Sequence, residues 1–530
     1  MQSPNFIFII TDQQRADYLG CYGHPVLKTP NIDRIATGGT RFERCYVNTP
    51  ICMPNRSSLM TGRMPSAHGV RNNGVPLDPD ANTFTHLLRA HGYRTALVGK
   101  SHLQTMTGRP SLLKREPRNP DHRQPPESMQ DSHLRGYYDE RVTQESPAYW
   151  KQPDAGIHTP FYGFDHVDLV TDHGDMAGGH YLHWLRDQGV DPERLRGRDN
   201  ALPNDYVCPQ AWRTAMPEEL YPTHYIVERS LAYLDRHAQW GGEQPFFLKL
   251  SFPDPHHPFT PPGRYWDMYR PEDMVLPESF HPGQGYNPPP TVRHAHDNQD
   301  KANREGMMAF AINEREAREA MALSCGMIAM IDDAVGEILD RLEALDLSRD
   351  TVVVFTSDHG DFLGDHRLLL KGPIHYQSLV RVPLLWRDTG GQAANGDSSE
   401  LASTIDIAAT ILDRAGIDPY HGMQGRSLLP ALRGSTDNDD DVLIEEDGQR
   451  LLYGLQEPPR LRTLVTHRYR LTLCHGAPWG ELYDLREDPH ELHNLWDSPA
   501  AGSIKAELLE RLARKQMALT DRSPLPFELA

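Results

Sequence analysis

Long apolar runs are absent from these 530 residues, and nothing approaches the roughly 20 consecutive apolar residues that a membrane helix needs. The stretch FIFII near the start is too short for the apolar core of a secretory signal, and no basic segment precedes it. Cysteine is scarce. The six residues (Cys21, Cys45, Cys52, Cys208, Cys325 and Cys474) are scattered without a C-x-x-C pair, which argues against a disulfide framework and a structural zinc site. Five of them, all but Cys52, read as packing residues. Positive charge is in deficit: the formal net charge is −19, so nucleic acid and membrane surfaces are not expected partners. An anionic small substrate fits this balance only where cations gather locally. The chain reads as cytoplasmic, with reduced thiols and no internal repeats.

Four apolar runs share one layout. NFIFIITDQQ ends at Asp12 and Gln13, and YRTALVGKSH ends at Lys100 and His102. PFFLKLSFPDPHHPF ends at His256 and His257, and TVVVFTSDHGD at Asp358, His359 and Asp361. Each begins rich in β-branched or aromatic residues and finishes in polar chemistry. Parallel α/β sheets bind ligands beyond the carboxyl ends of their strands. One such run would read as a strand and a polar loop; four together point to a shared site.

Helical patterns fill the gaps: Asn82 to Gly92, a segment with Pro222 near its start, a long one from about Glu316, and STIDIAATILDRAG with a glycine stop. Alternation of strand and helix implies an α/β fold, a large doubly wound, mostly parallel sheet flanked by helices. Residues 1–436 read as the catalytic domain. Within it, residues 104–204 are rich in Pro, Arg, Asp and His and read as loops covering the site, with some local structure in GFDHVDLVTDHGDMAGGHYLHWL. The acidic run NDDD reads as a solvated linker. Residues 437–530 then read as a small antiparallel sheet plus a helix near Ser503 to Leu519.

The stretch ICMPNRSSLMTGR concentrates the chemistry. Pro54 suits the first turn of a helix that Gly62 can end. Cys52 then lies at the helix N-terminus, where free N–H groups and the dipole favour anions. Arg56, four residues on, can reach back over the same face.

CMPNR followed by SSLMTGR resembles the sulfatase signature C-x-P-x-R…TGR. TDQQRADYLGCYGHPVLKTPNIDRIATGGTRFERCYV, GKSH, PHHPF, SDHGDFLGDH and LYDLREDPHELHNL resemble further family blocks in the expected order. The resemblance runs from residue 5 to about 496, leaving mainly the middle loops unmatched. It is to the formylglycine-dependent type I sulfatases of the alkaline phosphatase superfamily, which are related to phosphonate monoester hydrolases.

The resemblance implies that a separate maturation enzyme oxidises Cys52 to Cα-formylglycine, whose hydrate supplies a hydroxyl to attack sulfur and a second to release sulfate. It also implies that Asp12, Gln13, Asp358, His359 and residue 52 hold one divalent metal. Many family members have Asp in place of Gln13 and Asn in place of His359. An oxygen shell favours calcium, an imidazole favours manganese, and His359 turned away would restore the oxygen shell. Arg56 would fix the nucleophile and help neutralise sulfate, Lys100 would contact both, and His102 would be the base for release. His256 and Lys371 would bind sulfate and the leaving oxygen, with His256 the better proton donor. His68 and Asn73 resemble residues of the site entrance, but turn-forming roles fit them equally. Asp12 and Asp358 also suit helix caps, His102 and His256 suit structural histidines, and Lys371 suits a solvated surface.

The function so implied is hydrolysis of aryl or alkyl sulfate monoesters. The alternative is a phosphonate monoester or phosphodiester hydrolase with the same site, against which Lys100 and His102 weigh as the sulfatase pair. A third possibility is an inactive binding protein with Cys52 unmodified; Asn55 replaces a serine often found in the signature that the maturation enzyme reads. The tail TDRSPLPFELA is apolar enough to reach a neighbouring subunit in a homo-oligomer or to fill the chain's own core.

Overall fold

The computed structural model describes residues 3–113, 119–126, 129, 132, 140–241, 244–391, 395–435, 441–451 and 455–529. Its strands are β1 (Asn5–Thr11), β2 (Thr40–Tyr46), β3 (Arg94–Lys100), β4 (His166–Thr171), β5 (Gly178–Gly179), β6 (Phe246–Ser251), β7 (Phe310–Ala311), β8 (Thr351–Ser357), β9 (Leu368–Leu369), β10 (Arg381–Asp388), β11 (Gly396–Ser403), β12 (Val442–Asp447), β13 (Arg460–Val465), β14 (Tyr469–Cys474) and β15 (Gly480–Asp484).

Nine strands form one mixed sheet in the order β11-β2-β10-β8-β1-β6-β3-β4-β5. The four apolar runs of the sequence are its centre, β8-β1-β6-β3, all parallel and in direct contact. Only β10 and β5 run against the rest. β2 therefore points the same way as β1, and both end on the same edge of the sheet.

Strand periodicity explains why helices cover both faces. Ile7 and Ile9 point into one core with Leu248, Leu250, Val353 and the helices Pro222–Gln239 and Glu314–Ala344. Phe6, Phe8 and Ile10 point into the other with Phe247, Val352, Val354 and the helices Cys52–Thr61, Phe84–Ala90 and Thr404–Ala415. Successive residues of a central strand are thus buried on opposite sides, which is why these runs are continuously apolar rather than alternating.

The C-terminal part is a four-stranded antiparallel sheet, β12-β13-β14-β15, with the helix Gly502–Ala518. Val442, Ile444, Val465 and Tyr483 of that sheet belong to the same apolar cluster as Phe6 and Phe8, so the two parts share a core. Most of the NDDD run lies outside the described residues; its last member, Asp441, pairs with Arg511 at 2.6 Å.

Two expectations change. Residues 104–204 are not all covering loop: β4 extends the central sheet beside β3, and β5 and the helix His180–Asp187 follow it. The short β4 run VDLV, interrupted by Asp168, carried too weak a period to stand out. The tail does not fill the chain's own core, since Leu525, Phe527 and Leu529 are 63%, 96% and 101% exposed.

Candidate active site

The polar ends of the central strands converge on Cys52. β2 ends at Tyr46 on the same sheet edge, and six residues later Cys52 opens the helix that Gly62 closes in a left-handed conformation (φ 62°). The helix is entirely buried. Asn55 anchors it: Nδ2 donates to the carbonyl of Asp358 at 2.6 Å, and Oδ1 accepts from Thr404 Oγ1 at 2.8 Å. Asn73 Oδ1 accepts the Met53 N–H at 3.1 Å, satisfying one free donor at the helix start.

Around Cys52 Sγ stand Lys371 Nζ at 2.9 Å, His359 Nε2 at 3.1 Å and Asp12 Oδ1 at 3.8 Å. Ligand atoms of Asp12, Cys52, Asp358 and His359 all lie within 4.8 Å of one another, and all four residues are buried. His359 Nδ1 donates to the Gly360 carbonyl at 2.8 Å, so the lone pair of Nε2 faces Cys52. Gln13 spends its amide nitrogen on His257 Nδ1 at 3.1 Å and on Asp361, which leaves its buried Oε1 without a hydrogen-bond partner. A mixed set of carboxylate, amide and imidazole donors with one orphaned oxygen fits a divalent cation. His359 does not turn away.

Three fixed cations surround the two carboxylates. Arg56 Nε donates to Asp358 Oδ2 at 2.7 Å and its Nη2 to Asp12 Oδ2 at 3.2 Å; Nη1 donates to Ser251 Oγ and the Lys100 carbonyl. Arg56 lies near enough to Cys52 to feel its charge, but its hydrogen bonds go elsewhere. With all its nitrogens engaged below the cysteine, it holds the two aspartates in place. Lys100 Nζ donates to Asp12 Oδ2 at 2.5 Å. Lys371 Nζ donates to Cys52 Sγ and, at 3.0 Å each, to Nε2 of His256 and of His359. Arg56, Lys100 and Lys371 against Asp12 and Asp358 leave one surplus positive charge in a chain of net charge −19. This is the local gathering of cations that an anionic substrate requires.

Electrostatics follow from burial and these neighbours. Burial alone would raise the Asp12 carboxyl, but Lys100, His256, Arg56 and Lys371 hold it well below the usual range. Burial and then Asp12 push the Cys52 thiol up to about 11, against the pull of Lys371, so the unmodified side chain is a protonated thiol at neutral pH. Burial, His173 and Lys371 hold His256 well below its ordinary value. Its Nδ1 bonds to the His257 carbonyl, leaving Nε2 to accept from Lys371. This arrangement favours Lys371 over His256 as the protonated partner of the pair.

His102 is buried in a left-handed conformation (φ 56°), its Nδ1 without a partner. Burial, Lys100 and Arg56 keep it neutral. The buried carboxylate of Glu145 holds that turn by accepting three successive N–H groups, from His102, Leu103 and Gln104, at 2.7, 3.1 and 3.0 Å. His68 is not placed as a substrate contact. Its Nε2 meets Ser58 Oγ at 2.9 Å and its Nδ1 accepts the Val70 N–H, so it closes a turn, whereas Asn73 caps the start of the Cys52 helix.

Sequence reasoning passed over Glu145 and His173. His173 Nε2 lies 2.5 Å from Lys100 Nζ, and its ring stacks on His256 with centroids 3.5 Å apart. Glu145 carried no signal. His173 carried one: the quartet DHGD stands at 172–175 as it does at 358–361, a short repetition the sequence reading did not register.

Residues 4–417 match the family model described as Sulfatase, and residues 364–518 the model described as N-sulphoglucosamine sulphohydrolase, C-terminal. Among curated relatives, the multifunctional alkaline phosphatase superfamily protein PehA of Trinickia caryophylli is 29% identical over 99% of this chain and 97% of its own. An arylsulfatase of Clostridium perfringens is 27% identical over 98% and 97%. Among solved structures, the phosphonate monoester hydrolase of Agrobacterium radiobacter superimposes with a TM-score of 0.73 at 26% identity, covering 99% of this chain and 98% of that one. The family model spans the central sheet and every residue gathered around Cys52, and this chain belongs to the sulfatase family of the alkaline phosphatase superfamily.

Proposed function

We propose that the protein hydrolyses sulfate monoesters, aryl or alkyl, to an alcohol and inorganic sulfate. The observation that carries this is the ring around Cys52: a metal-ready donor set on one side, Lys371 and Lys100 on the other, all on one edge of the sheet. As it stands, the Cys52 thiol is protonated, which suits a precursor better than a nucleophile. A maturation enzyme would oxidise it to Cα-formylglycine before folding buries the helix. Asp12, Gln13, Asp358 and His359 would hold one divalent metal, calcium or manganese, beside residue 52. The metal supplies Lewis acidity at the ester oxygens, and formylglycine supplies a hydrated aldehyde as nucleophile.

The chain's own residues do the rest. Arg56 holds the carboxylates of Asp12 and Asp358 in place. Lys100 and Lys371, both buried, neutralise the tetrahedral anion and strengthen as charge develops. Lys371 bears a proton that His256 Nε2 helps orient toward the leaving oxygen, and neutral His102 accepts one at its ring.

A second reading is supported by Gln13 and His359, the two departures from the common sulfatase ligands, and by likeness to the Agrobacterium enzyme: hydrolysis of phosphonate monoesters. Lys100 and His102 favour the sulfate ester. Two measurements decide. Mass spectrometry of the tryptic peptide Cys45 to Arg56, from a host with the maturation enzyme, should show the aldehyde at position 52; thiol alone sinks the mechanism. Comparison of kcat/KM on 4-nitrophenyl sulfate and 4-nitrophenyl phenylphosphonate should favour the sulfate, and a reversed ratio establishes the second reading.

A further inference from the structure

The turn after β4, Thr171-Asp172-His173-Gly174-Asp175, and the turn after β8, Ser357-Asp358-His359-Gly360-Asp361, share four successive residues. The fold brings both to the same carboxylate. His359 Nε2 lies 3.6 Å from Asp12 Oδ1, and His173 Nε2 lies 3.9 Å from Asp12 Oδ2. In each turn Nδ1 bonds to a local oxygen: the Gly360 carbonyl at 2.8 Å, or Asp172 Oδ1 at 3.2 Å. Each ring thereby presents the lone pair of Nε2 inward. Each glycine sits where a side chain would collide, Gly360 against the Ser378 carbonyl and Gly174, at φ 53°, against Thr260 Oγ1.

The two histidines then serve different neighbours. His359 belongs to the metal-ready set with Cys52 and Asp358; His173, grouped instead with Asp12 and His256, accepts from Lys100 Nζ at 2.5 Å. A lysine side chain is long and has many rotamers, and Asp12 alone would fix only one of its three donors. With Asp12 Oδ2 and His173 Nε2 as two acceptors, the third N–H has a defined direction. The His173 ring also lies flat on His256, 11° from parallel, and so backs the imidazole that orients Lys371.

We propose that His173 is a positioning residue of this site, fixing Lys100 through Nε2 and bracing His256 through its ring, so that both lysines meet the anion in one geometry. The assignment rests on the hydrolase reading above.

The test is a set of variants of the matured, metal-loaded enzyme assayed with 4-nitrophenyl sulfate and 4-nitrophenyl phenylphosphonate. His173→Ala should lower kcat about 10- to 100-fold on the better substrate, with KM changed far less, because misplacement costs the transition state. Metal content by atomic emission should stay unchanged. In a Lys100→Ala background the same change should cost clearly less than it does in the otherwise native enzyme, the mark of residues that act partly as one unit, with the remainder due to the ring that braces His256. His173→Gln, which keeps an acceptor, should recover more activity than His173→Phe, which keeps only a ring. Should the alanine variant not fold, that pair carries the comparison. A crystal structure of His173→Ala or His173→Phe should show Lys100 Nζ moved off its present position.

Full activity in His173→Ala, independent losses in the double variant, equal activity of the Gln and Phe variants, or an unmoved Lys100 would each overturn the proposal. If Lys100→Ala is itself fully active on both esters, the hydrolase reading fails as well. If Lys100→Ala is crippled and His173→Ala is not, only the positioning role fails.

Discussion

Lys371 Nζ stands 2.9 Å from Cys52 Sγ, across 319 residues of sequence, and nothing separates the two. The same ammonium donates to His256 and His359, so one cation links Cys52, a metal-ready imidazole and the imidazole of His256. Its placement makes Lys371 the proton donor of the proposed reaction. Lys371→Ala should lower kcat by about 10²- to 10⁴-fold on an alkyl sulfate. The loss should be smaller on 4-nitrophenyl sulfate, whose leaving group needs little protonation. Steady-state kinetics across leaving groups checks this, and an equal loss on both would contradict a donor role.

Arg56 has no exposed surface, and its two carboxylate partners are Asp358 and Asp12. Asp358→Ala should therefore do more than abolish metal binding. It leaves a buried guanidinium short of a counter-charge, and urea denaturation should show a loss of about 3–5 kcal/mol. Chelation of the intact protein should cost much less, because Arg56 and Lys100 still neutralise the aspartates.

Glu145 gives the fold a pH dependence. Burial raises its carboxyl to about 7, although the N–H groups of His102, Gln104 and Leu103 and the Ser101 hydroxyl pull the other way. A carboxyl whose folded value exceeds its unfolded value of about 4.5 binds its proton more tightly when folded. Its contribution is full below about pH 4.5 and is lost as pH rises through about 7. Unfolding measured across that window should fall by up to about 3 kcal/mol relative to Glu145→Gln, which cannot ionise. Identical pH profiles for the two proteins would refute this.

Gly99 lies at φ 106° immediately before Lys100, and a Cβ there would fall 2.0 Å from the Ser251 carbonyl on β6. Gly99→Ala should separate β3 from β6 locally and cost about 2–4 kcal/mol in urea unfolding. Turnover should fall with it, since Lys100 and Arg56 both bond to groups at this junction. Wild-type turnover in a folded Gly99→Ala protein would show that the junction does not set the site.

Much of the fold was legible because it is written in local pattern. Continuous apolar runs at β1, β3, β6 and β8 mark strands buried on both faces, and their polar last residues mark the ligand-binding edge. Pro54 and Gly62 bracket the cysteine helix for steric reasons that need no tertiary contact. β2, β10 and β11 were not legible. β2 and β11 carry charged or polar residues in alternation, and β10 is antiparallel between neighbours the chain does not place beside it.

The sequence by itself determined the element types, the sheet edge that bears the chemistry, the helix that presents Cys52 and the family. Tertiary structure alone decided that Arg56 turns to the aspartates, that Lys371 meets Nε2 of His256, that His68 closes a turn while Asn73 caps the Cys52 helix, and that Glu145 and His173 stand beside these residues at all. The reason is range. Periodicity and capping record interactions a few residues apart, whereas most of the bonds that define this site join distant residues, up to 348 positions apart for Gln13 and Asp361. Those pairings depend on strand order and on which charges burial forces together, and neither is written in any one segment.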